Sequence, residues 1–113
     1  GFTPLVDGLL ADLAAELDTT PLPDAIVRGF LRQLARRPDT QIARRHGPAV
    51  AAAVSRLAAA VLAAPADEWQ AAVTAFDRSL REPTRINPGT TADLVAAALY
   101  ILLYDGHVSP FPA

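Results

Sequence analysis

Apolar residues recur at helical spacing along most of this chain, and prolines and glycines cut that pattern into pieces of helix length. Leu5, Leu9, Leu10, Leu13 and Leu17 line one face behind Thr3-Pro4, which reads as an N-cap followed by proline at the first helical position. Asp18 to Pro23 reads as a turn, because its two prolines and capping residues cannot continue a helix. A second helix is expected from about Pro23 to Arg36, with Ile26, Val27, Phe30, Leu31 and Leu34 inward. Arg28, Arg32 and Arg36 step along its other side as one basic ridge.

Pro38 breaks that helix, and Asp39 is a natural N-cap for a short turn from Thr40 to His46. Gly47-Pro48 ends the turn and starts a long alanine-rich helix with a narrow seam of Val50, Val54, Leu57 and Val61. Pro65 opens another helix running to about Arg81, with Trp69, Val73, Phe76 and Leu80 inward. Glu82 to Gly89 is a loop. Thr90 restarts the helix, with Thr90 and Asp93 at the spacing of a capping box. From Leu94 to Tyr104 the sequence is apolar all round, the pattern of a segment buried on every side. Asp105-Gly106 stops it, and His107 to Ala113 reads as an extended tail. With no strand-length alternation and no internal repeat, the expected fold is all-α: a bundle of about five main helices in a single domain, 1–113.

Composition narrows the function. Of 113 residues 51% are hydrophobic, enough for a real core and against disorder. The absence of cysteine excludes a disulfide framework and a thiolate metal site. His46 and His107 make no ligand pattern. The longest apolar run is too short to span a bilayer, and Gly1-Phe2-Thr3-Pro4 does not look like a signal peptide, so the expected address is cytoplasmic with no membrane partner. All ten basic residues are arginine, and seven of them lie between residues 25 and 66, where Asp39 is the only acid. An arginine-rich middle within a chain of net charge −2 suggests a local anion site or a solvated helix face. A nucleic-acid partner is not expected without a basic overall balance.

Two polar segments concentrate the chemistry: Pro38-Asp39-Thr40-Gln41-Ile42-Ala43-Arg44-Arg45-His46-Gly47 and Ile86-Asn87-Pro88-Gly89-Thr90-Thr91-Ala92-Asp93-Leu94. In the second, Gly89 permits close backbone approach, and Thr90 and Thr91 add hydroxyls to the free N–H groups of a helix start. Asn87 adds an amide suited to a sugar or base. Asp93 would repel phosphate unless Mg2+ lay between them. In the first, Asp39 has the chemistry to orient a guanidinium for bidentate phosphate contact. Each segment also reads as ordinary capping: Asn-Pro-Gly as a turn, and Arg44-Arg45-His46-Gly47 as a helix C-terminus.

In order and spacing the two segments resemble the C-terminal half of the triphosphoribosyl-dephospho-CoA synthase family, in the version seen in archaeal and related members. There, Pro-Asp-Thr-x-Ile-Ala-Arg-(Arg/Lys)-x-Gly precedes a long helix, and Asn-Pro-Gly-Thr-Thr-Ala-Asp-Leu opens the final one. Phe76-Asp77-Arg78-Ser79-Leu80-Arg81 resembles the family's segment before the second motif, so the likeness covers roughly residues 26 to 104. It implies an all-helical enzyme that moves the triphosphoribosyl unit of ATP to the ribose 2′-hydroxyl of 3′-dephospho-CoA and releases adenine. The product is the precursor of the prosthetic group on acyl carrier subunits of citrate lyase and malonate decarboxylase.

The resemblance implies Mg2+ as cofactor, ATP as substrate and nucleotides as small-molecule partners. It suggests Asp93, and also Asp39, as metal or base carboxylates. Arg44 and Arg45 would clamp phosphate, and Asn87, Gly89, Thr90 and Thr91 would line the nucleotide pocket. Family members usually run well over twice this length, with further acidic and His/Lys/Gly-containing segments in an N-terminal half. The chain is therefore expected to be a C-terminal portion that works with a missing N-terminal half or another protein chain. The other reading is a non-catalytic helical subunit or assembly domain whose polar motifs are caps, marked by a large exposed apolar face.

Overall fold

The computed structural model describes the backbone of residues 4–82 and 85–104 and the side chains of 7–82 and 85–102. Among these residues there are six α-helices, one 3₁₀ turn and no strand. They are α1 (Pro4–Thr19), α2 (Leu22–Arg36), α3 (Thr40–His46), α4 (Pro48–Leu62), α5 (Trp69–Arg81) and α6 (Gly89–Tyr104), with the 3₁₀ turn at Ala66–Glu68. The all-α expectation holds. The breaks fall at prolines and glycines because proline lacks the N–H a helix interior needs. Pro65 differs from expectation: it leads into the 3₁₀ turn, and α5 starts only at Trp69. The expected Thr3 cap, the Asp105-Gly106 stop and the tail lie outside the described residues.

The chain divides into two compact units, residues 1–30 with 92–113, and residues 31–91. In the first, Leu9 and Leu13 of α1 form a core with Val95, Ala98 and Leu102 of α6, flanked by Leu10, Ala14, Leu17, Ile26, Phe30 and Leu94. Gly29 brings α2 close to α1, since a methyl group there would overlap the Leu13 side chain. Beside this crossing the Arg28 Nε sits 3.3 Å from Glu16 Oε2, which also accepts from the Thr20 hydroxyl at 3.4 Å. The basic ridge expected on α2 is therefore tied down at Arg28.

The stretch of α6 from Leu94 onward is apolar all round in sequence, yet the helix is not buried on every side. Val95, Ala98 and Leu102 face the core, whereas Ala96, Ala97 and Tyr100 are exposed, Tyr100 to 67%. Alanine loses little by facing water, so an alanine-rich sequence hides which side is outside.

In the second unit α3 packs on α4 and α4 on α5. The buried positions of α4 are Ala51, Val54, Ser55, Ala58 and Val61. Leu57, expected in this seam, is 47% exposed. It sits about 100° round the helix from Ala58, on the flank of a stripe built largely of alanine. Small residues let the helices close up, so alanine rather than leucine marks the inner face. Phe76 and Leu80 are the buried positions of α5, and Ile42 is fully buried on α3.

Candidate functional site

Residues 38–47 and 86–91 meet inside the second unit. Pro38 keeps α2 from running on, because the residue before a proline is pushed out of helical geometry. Asp39 follows in extended conformation (φ −70°, ψ 128°) and caps α3. Its Oδ1 accepts from the Gln41 N–H at 2.9 Å and the Ile42 N–H at 3.1 Å. Its Oδ2 accepts from the Thr91 N–H at 2.7 Å and the Thr91 hydroxyl at 2.8 Å. A carboxylate has about four acceptor sites, and here four donors fill them. With 1% exposure, Asp39 is a cap shared by two helices.

The next two residues extend the contact in antiparallel order. The hydroxyls of Thr40 and Thr90 lie 2.7 Å apart, and the Gln41 carboxamide lies where a side chain on Gly89 would have to go. Two positive helix starts are thus brought together, and the Asp39 carboxylate between them offsets their like dipoles. The expected capping box is replaced by this arrangement. The helix already includes Gly89, the Thr90 hydroxyl turns to Thr40, and the cap on Thr91 comes from Asp39, 52 residues back in the chain.

One turn along α3, Arg44 and Arg45 are exposed and, with Gln41, line an open depression of about 300 Å³. Among the described residues neither guanidinium has an ion-pair partner. Positions 41, 44 and 45 share a helix face through their three- and four-residue spacing. That spacing is the sequence signal for Gln41, which motif reading alone passes over. Gly47 then ends α3 with its N–H on the Ala43 carbonyl and starts α4. Its φ of 95° is in the region that favours glycine.

The remaining residues singled out in the sequence are placed as follows. Asn87 is exposed, and its carbonyl accepts from the Gly89 N–H at 2.8 Å. Gly89 serves close approach as expected, but the approaching group is Gln41. Thr90 and Thr91 have their hydroxyls engaged within the protein. Asp93 is exposed on α6. The first compact unit contains it, whereas the arginines are in the second.

Residues 1–110 match the family model of CitG, the ATP:dephospho-CoA triphosphoribosyl transferases. The chain belongs to this family. Comparison with curated proteins and with solved structures gives no match. The Mg2+ expectation fits the described residues only in a limited way. They contain no group of three or more Asp, Glu or His placed to hold a metal, and the Asp39 lone pairs are already taken. A single exposed carboxylate, Asp93, is compatible with a cation held mainly by substrate phosphates and water. No helix among the described residues is long and apolar enough to cross a membrane.

Proposed function

We propose that this chain takes part in moving the triphosphoribosyl unit of ATP to dephospho-CoA or a related alcohol, and that Arg44 and Arg45 hold the triphosphate. The observation that carries this reading is the open depression lined by two exposed guanidiniums, without an ion-pair partner among the described residues, next to a seam joining the two polar segments. The reaction breaks the bond between the ribose and adenine, forms a bond from that ribose carbon to the acceptor hydroxyl oxygen, and releases adenine, which takes up a proton as the acceptor hydroxyl gives one up. Guanidiniums bound to the triphosphate would fix one end of the sugar so that its anomeric carbon meets the acceptor in a constant orientation.

In this reading Asp39 holds the two helix starts in place and neither abstracts a proton nor binds metal. Asp93 is proposed as a carboxylate that meets Mg2+, a cation that would offset phosphate charge. Asn87 is proposed to contact the nucleotide through its exposed amide. Gly89, Thr90 and Thr91 would shape the pocket wall.

The test is adenine release from ATP with dephospho-CoA present, measured in the full-length or reconstituted protein. Arg44→Ala and Arg45→Ala should each raise the KM for ATP about tenfold, the lower end for a charge-assisted bond because both side chains face solvent. Asp93→Asn should raise the Mg2+ concentration needed for half-maximal rate. Unchanged ATP kinetics in both arginine variants would remove the clamp, and an unchanged Mg2+ requirement would remove the metal role of Asp93. The proposal extends to the chain acting as the C-terminal portion of a larger site. Full activity of the chain on its own would contradict that extension.

A further inference from the structure

Gln41 occupies an unusual position for a glutamine on a short helix. It is half-buried, it lines the depression together with Arg44 and Arg45, and its carboxamide lies over the Cα of Gly89. The Oε1 end is nearest to Gly89 and the Nε2 end is farther away. The backbone beneath it is also fixed, since the Gln41 N–H is bonded to Asp39 Oδ1. A flexible amide is thereby held beside two cations, with two N–H donors and no charge of its own.

Gly89 has no backbone reason to be glycine. Gly47 has the one positive φ among the described residues, so alanine at 89 would carry no left-handed strain. What a side chain at 89 would meet is the Gln41 amide, first its oxygen and then its carbonyl carbon. The Gly89 site is therefore explained by Gln41.

We propose that Gln41 is a third ligand-contacting residue of the arginine depression, donating to a phosphate oxygen of a bound polyphosphate, and that Gly89 acts by seating it. This rests on the reading of Arg44 and Arg45 as a triphosphate clamp. It adds a neutral donor that sets the position of the phosphate relative to the arginines. It also makes the glycine of the second segment a positioning residue for a side chain of the first.

The experiment is calorimetric binding of inorganic tripolyphosphate to the full chain and its variants. Gln41→Ala should weaken binding about 2- to 12-fold, the range of one neutral hydrogen bond. Gln41→Glu, nearly the same shape but anionic, should weaken it further by repelling the ligand. Gly89→Ala should resemble Gln41→Ala, and the double variant should bind no more weakly than Gln41→Ala alone, because the glycine is expected to act only through the glutamine.

Binding by Gln41→Ala within experimental error of the unaltered chain overturns the proposal. So does a Gly89→Ala loss that persists in full in the Gln41→Ala background. Arg44→Ala and Arg45→Ala, run alongside, separate the two levels. If they weaken binding and Gln41→Ala does not, the clamp stands and the role of Gln41 falls. If they do not weaken it, or the unaltered chain does not bind tripolyphosphate, both fall. Should Gly89→Ala fail to fold, as read by its thermal melt, the order Gln41, Gln41→Ala, Gln41→Glu in affinity still decides the matter, and any other order overturns it.

Discussion

Asp39 holds four hydrogen-bond donors on two oxygens at 1% exposure, so a change there acts on the backbone before it acts on any ligand. Removing the carboxylate takes away an N-cap and leaves buried N–H groups unpaired. Each of these effects costs about 1–2 kcal/mol. Asp39→Ala should therefore destabilise the chain by about 2–5 kcal/mol in urea denaturation. Thr91→Val removes only the hydroxyl bond and keeps the backbone one, so about 1 kcal/mol is expected. If Thr91→Val proved as costly as Asp39→Ala, the shared-cap description would be wrong. Half of this role is legible in the sequence. Asp39 two residues before Gln41 and three before Ile42 is a recognisable cap, but no local pattern tells that the same carboxylate also caps a helix starting 50 residues later. The carboxylate that the resemblance suggests as a base or metal ligand accepts four hydrogen bonds here, two of them from a residue 52 positions away.

Among the elements, helix boundaries were the most readable feature, because proline and glycine act through their own backbone. Gly47 is the clearest case. It closes α3, opens α4, and has φ 95° with ψ 159°, a region that residues with a Cβ rarely enter. Nothing lies within 4 Å of a methyl group placed there, so Gly47→Ala meets no clash and the whole penalty is conformational. A loss of about 1–3 kcal/mol is expected, read as a lower thermal midpoint. An unchanged midpoint would mean that the α3–α4 turn differs from the one described. Faces were harder to read than ends. Leucine at 57 matches a core pattern and is half exposed, while Ser55 and four neighbouring alanine or valine positions form the buried stripe. In an alanine-rich helix the hydrophobic contrast between faces is small, so packing against α3 and α5 decides which side is inside. The same lack of contrast in α6 concealed the exposed side at Ala96, Ala97 and Tyr100.

At the scale of the whole molecule, charge and site have to be considered together. The net charge is −2, yet seven arginines and one acid occupy residues 25–66. The acid, Asp39, is buried as a cap, and Arg28 is paired to Glu16. Arg44 and Arg45 remain as an exposed couple at a small depression. A compact polyphosphate can place several charges against two guanidiniums at once. A long duplex docked on this couple would have most of its phosphates facing a chain that is acidic overall. Affinity for DNA grows with the number of phosphates neutralised and falls steeply with salt, so two contacts leave little at physiological ionic strength. Fluorescence anisotropy with a labelled short duplex should therefore show no saturable binding at protein concentrations that saturate with tripolyphosphate. Duplex binding of equal or greater affinity, weakened by Arg44→Ala, would assign the arginine couple to a nucleic-acid surface and remove it from the triphosphate site.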